Sequence, residues 1–133
     1  MELKITLEGD KRVSTQVGKH RIMTDQSVKA GGEDSAPAPF DLFVASLGTC
    51  AGFFVQSYCQ NKGIDPSGIE ITIGSKRDPE KKAITGFVTT LHLPEEIPER
   101  LHSALKRVVD QCTVKKVIAN QPEFEVVTVV RKD

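Results

Sequence analysis

Leu3, Ile5 and Leu7 alternate with charged and polar residues over ELKITLE, the period-two pattern of a strand with one buried face. Gly9-Asp10 turns the chain. Extended runs from Val13 to Val17 and from His20 to Thr24 flank Gly18-Lys19, so the first 25 residues predict an antiparallel meander. Between Asp25 and Pro39 the periodicity stops, because Gly31-Gly32 and the Pro37/Pro39 pair break any regular pattern. A loop of that length in a small domain points to function.

The pattern changes again after the prolines. No charged residue lies between Leu42 and Val55, and on a 3.6-residue period this run leaves no polar face, which predicts a helix buried on nearly all sides. Asp41 suits its N-terminus and Gly63 its C-terminal cap. Phe43, Leu47 and Phe54 share a face with Cys50, Ser46 and Ser57, whereas Ala45, Gly48, Gly52 and Cys59 form a reverse face small enough for close backbone approach. Such a helix predicts a homodimer, with the small-residue stripes of two copies in contact.

Asp65-Pro66-Ser67-Gly68 predicts a turn into a strand near 69–76, carried by Ile69, Ile71 and Ile73. The charged tip DPEKK then leads to a returning strand from Gly86 to Leu93. Beyond Pro94 and Pro98, Leu101, Leu105, Val108 and Cys112 fall on one helical stripe, so Cys112 is expected to end a helix on its buried side. A short helix from Thr113 to Ala119 and a last strand from Phe124 to Val130 complete the prediction. With no repeat or linker, the chain reads as one α+β domain over residues 1–133.

Composition narrows the function classes. Eighteen basic against eighteen acidic residues leave no net charge to attract nucleic acid or an anionic membrane surface. The Met1 end has no apolar signal region, and a 14-residue uncharged run is short for a bilayer, so a cytoplasmic protein is expected. His20, His92, His102 and the three cysteines offer no short ligand spacing, which gives no expectation of a metal or other cofactor. Cys50 as a hydrolytic nucleophile lacks a recognised sequence context.

Thiol redox chemistry asks for an accessible low-pKa cysteine and a second thiol to condense with its sulfenic acid. Cys50 and Cys112 point inward from different segments and could meet. Cys59, nine helical residues and roughly 900° from Cys50, lies on the opposite side. Periodicity alone equally allows all three cysteines to be small core residues.

The segment Pro39-Phe-Asp-Leu-Phe-Val-Ala-Ser-Leu-Gly-Thr-Cys50, with Cys112-Thr-Val-Lys-Lys and the order of elements, resembles the OsmC/Ohr family and its OsmC-like branch. The resemblance implies an OsmC-like fold, with antiparallel sheets packed around central helices in an intertwined homodimer. It also implies thiol-dependent reduction of organic hydroperoxides in an antioxidant stress response. Cys50 would then be the peroxidatic thiolate, Cys112 the resolving thiol and Arg12 the neighbouring cation. An external dithiol would serve as reductant, and Phe43, Phe53 and Phe54 would favour an organic peroxide.

Two positions depart from the family pattern. Phe40 stands where a glutamate orienting the arginine is expected, leaving Glu33, Asp34 and Asp41 as other carboxylates, and Thr113 replaces a proline. The alternative expectation is therefore a dimer that binds a small hydrophobic ligand or senses thiol redox state without turnover.

Overall fold

Three antiparallel strands form from the alternating start of the chain: β1 (Ile5–Gly9), β2 (Arg12–Val17) and β3 (His20–Thr24), in the order β1-β2-β3. Cross-strand pairs such as Ile5 with Thr15 and Thr15 with Ile22 set the register. This is a computed structural model, and it describes residues 1–132. It divides into two compact units, Met1–Ser46 and the chain from Leu47 onward, with the boundary inside the long helix α1 (Pro39–Lys62).

Local chemistry explains where α1 begins and ends. Pro39 occupies its first position, where a missing N–H costs nothing, and the Ala38 amide donates to the Asp41 carboxylate at 3.2 Å, one half of a capping box. At the far end the Gly63 amide donates to Gln60 and the Ile64 amide to Cys59, the paired bonds of a Schellman cap. Gly63 takes φ 67°, which glycine adopts without a Cβ clash.

In the second unit, β4 (Glu70–Asp78) pairs antiparallel with β5 (Ala83–His92), followed by α2 (His102–Val109) and α3 (Thr113–Ala119). Its core gathers Val55 and Cys59 of α1 with Ile97 and Leu105. Leu105 and Cys59 are wholly buried.

Several expectations need correction. Helix α1 is not buried on nearly all sides: Leu47, Ala51, Val55 and Cys59, four residues apart, form its one buried stripe, while Phe53 is 62% exposed. One chain of this size supplies only enough neighbours to cover that stripe. The small-residue face is not free for a second helix, because Cβ atoms built on Gly48 and Gly52 would lie 3.5 and 3.8 Å from Ile73 and Ile71 of β4. At 24 residues α1 is also long and apolar enough, by length and composition, to cross a membrane. One stripe of it is buried, and its glycines meet β4.

Cys112 does not end α2, which stops at Val109; it is instead the N-cap of α3. The segment from Phe124 to Val130 is not a strand. Among the described residues it has no pairing partner, and Phe124, Val126 and Val129 are exposed.

Candidate active site

Cys50 lies half-buried in the middle of α1, and Cys112, buried at 2% exposure, caps α3. The two thiols hydrogen-bond to each other. Asp110 and Gln111 lead from α2 into α3, and the Asp110 carboxylate pairs with the Lys115 ammonium. The Lys115 amide donates to the Cys112 sulfur at 3.4 Å, which seats that sulfur over the first turn of α3. Cys50 in turn receives hydrogen bonds from the Val114 and Thr113 amides.

These contacts push the two thiols in opposite directions. Burial raises the Cys50 pKa, but the hydrogen bond from Cys112 and those from Val114 and Thr113 outweigh it and hold the thiol below its ordinary value. Burial raises Cys112, and the hydrogen bond to Cys50 raises it further. The environment thus favours ionisation at Cys50 over Cys112. Cys59 is simply raised by burial in the core.

Phe53 and Phe54 belong to the same unit as Cys50, with rings edge to face at 5.3 Å; Phe54 is half-buried. Phe43 lies in the first unit, tilted against Phe40 at 5.8 Å. Arg12, at the start of β2 in that unit, pairs with Asp10 at 3.5 Å and Glu33 at 3.6 Å. Among the described residues no cluster of His, Cys, Asp and Glu is arranged to hold a metal ion.

Sequence reasoning missed the amides of Thr113 and Val114. A cysteine directly before a short helix is the signal that could have found them, since a cap side chain sits among unpaired first-turn N–H groups.

Residues 32–127 match the profile of the OsmC-like protein family. The chain belongs to that family. No curated protein matches the sequence. Among solved structures, a Psychrobacter arcticus protein named for osmotic stress induction and detoxification aligns at TM-score 0.71 and 21% identity, over 86% of this chain and 85% of its own. An OsmC-like protein from Mycoplasma pneumoniae aligns at TM-score 0.71 and 11% identity, over 90% and 87%. The organic hydroperoxide resistance protein OsmC of Legionella pneumophila aligns at TM-score 0.60 and 19% identity, over 89% of both chains. At these identities the likenesses show that this chain has the OsmC-like α+β fold.

Proposed function

We propose that this OsmC-like protein is a thiol-dependent peroxidase that reduces organic hydroperoxides through Cys50 and Cys112. The observation that carries the reading is the hydrogen bond between those two thiols, one favoured as thiolate and the other as thiol. The Cys50 thiolate attacks the distal peroxide oxygen, the O–O bond breaks, and Cys50 becomes a sulfenic acid. The departing alkoxide takes the Cys112 proton and leaves as an alcohol. The Cys112 thiolate then attacks the Cys50 sulfur, a disulfide forms, and hydroxide leaves to be protonated by solvent. An external dithiol restores both thiols by exchange.

Arg12 serves in this reading as the cation that favours the thiolate, and Phe43, Phe53 and Phe54 bind the apolar part of the substrate. The working form is a homodimer in the cytoplasm. Exposed Phe53 and the exposed apolar residues of 124–130 support a second copy as their cover. Hydroperoxide resistance in the name of the Legionella relative supports the substrate class. Steady-state consumption of tert-butyl hydroperoxide with dithiothreitol tests the reading: turnover lost in Cys50→Ser is expected, and absence of turnover in the unsubstituted protein overturns it.

A second reading, binding of a small hydrophobic ligand without turnover, is favoured by a cleft in the first unit. Ile5, Val13, Ile22, Pro39 and Leu42 line about 280 Å³ there, together with Ser14, Thr15 and Thr24. Under this reading an apolar ligand raises the melting temperature while no peroxide is consumed.

A further inference from the structure

A helix leaves its first amides without carbonyl partners of their own, and each has to find an acceptor elsewhere. At the start of α3 those acceptors are two sulfur atoms. The Cys112 amide donates to the Val109 carbonyl at 3.2 Å, and the first bond inside the helix runs from the Lys116 amide to the Cys112 carbonyl at 3.0 Å. Three amides remain between them. Lys115 donates to the Cys112 sulfur at 3.4 Å, and Thr113 and Val114 donate to the Cys50 sulfur. With only seven residues in α3, individual N–H groups act here rather than a helix dipole.

The three amides are not equivalent. Val114 is shared between the two sulfurs and Lys115 serves Cys112, so Thr113 is the amide given to Cys50 alone. Its direction is fixed by the backbone: Cys112 is extended, with ψ 118°, and Thr113 is the first residue in helical geometry. Threonine where the family pattern has proline is what supplies this N–H, since proline carries none.

We propose that the backbone amide of Thr113 is a catalytic group of this protein, a fixed hydrogen-bond donor to the reacting sulfur of Cys50. The proposal rests on the reading of Cys50 as the attacking thiol. A donor aimed at the sulfur favours its charged form, and an N–H held by a helix needs no rearrangement when that charge appears. Cys112 is the titratable group facing Cys50, with the Asp110–Lys115 pair on either side of it in sequence. The role belongs to the main chain, and the Thr113 hydroxyl has no part in it.

Cys50 alkylation by iodoacetamide, measured against pH by mass spectrometry on the reduced full chain, tests the assignment alongside peroxide turnover. Thr113→Pro removes the N–H at a position that suits proline, because the first residue of a helix accepts it and Cys112 already has the extended ψ a preceding residue takes. The alkylation midpoint is expected to rise, with alkylation below it slowed by roughly three- to tenfold. At high pH, where the thiol is fully ionised, the variant is expected to react no more slowly than the unsubstituted protein. Thr113→Ala keeps the N–H and is expected to match the unsubstituted protein. Replacing the Cys112–Thr113 amide by an ester removes the same donor without a ring and is expected to move the midpoint as proline does, so it decides the matter if circular dichroism shows Thr113→Pro misfolded. An unmoved midpoint in folded Thr113→Pro or in the ester overturns the proposal, as does an equal rise in Thr113→Ala. If the unsubstituted protein consumes no peroxide, the peroxidase reading falls, and the midpoints still judge whether the amide holds the Cys50 sulfur.

Discussion

The thiol of Cys112 hydrogen-bonds to the sulfur of Cys50, and the same Cys112 sulfur accepts the Lys115 amide. One buried residue therefore caps a helix and lowers the pKa of a neighbouring thiol. Replacing Cys112 by alanine removes the S–H donor that does most to lower the Cys50 pKa, leaving only the Val114 and Thr113 amides. The alkylation midpoint of Cys50 is expected to rise toward that of an ordinary cysteine. An unchanged midpoint would mean that the two amides alone hold the thiolate.

Asp25 gives the loop before α1 an acid limit. Its hydrogen bonds, led by the Ser35 hydroxyl and joined by the Ser35, Gln26 and Glu33 amides, lower its pKa from 3.8 to about 2 in the folded protein. A depressed carboxylate pKa contributes stability that is complete above the unfolded value and is lost as pH falls through the folded one. Loop protection is therefore expected to persist at pH 5 and fade between roughly pH 4 and 2. Hydrogen exchange of the Glu33 and Ser35 amides measures it, and Asp25→Ala is expected to abolish that protection at neutral pH.

The glycines of α1 make a prediction of opposite sign to a helix-to-helix contact. A methyl on Gly48 would sit 3.5 Å from Ile73, an ordinary contact. Removing glycine from a helix interior also gains up to about 1 kcal/mol. Gly48→Ala is expected to be neutral or stabilising in thermal unfolding, and a strongly destabilised variant would place another backbone against this face.

Leu105 tests the core of the second unit. It is wholly buried among Val55, Cys59 and Ile97, so Leu105→Ala is expected to cost about 2–5 kcal/mol in denaturant unfolding. Phe124, 92% exposed in the single chain, tests the proposed homodimer. Phe124→Ser is expected to leave the fold intact and weaken self-association in light scattering.

Much of this was legible in the sequence because its causes are local. Alternating Leu3, Ile5, Leu7 and Ile69, Ile71, Ile73 announce strands, although the buried face expected of the first is not there, with Ile5 and Leu7 exposed, and Pro39, Asp41 and Gly63 mark the ends of α1 through bonds made within a turn. What escaped depends on distant partners. Small residues at Gly48 and Gly52 say that something approaches closely, but not that it is β4. The β pattern of Phe124–Val130 shows a capacity to pair without supplying an edge to pair with. Asp25 looks like any turn residue until Ser35, ten positions on, closes over it.

The most direct measurement of the central claim is disulfide mapping by mass spectrometry after the reduced protein meets tert-butyl hydroperoxide. The account predicts a Cys50–Cys112 disulfide, absent in Cys50→Ser and replaced by Cys50 sulfenic acid in Cys112→Ser, with Cys59 unmodified. Cys50 and Cys112 both recovered as free thiols after exposure would contradict it.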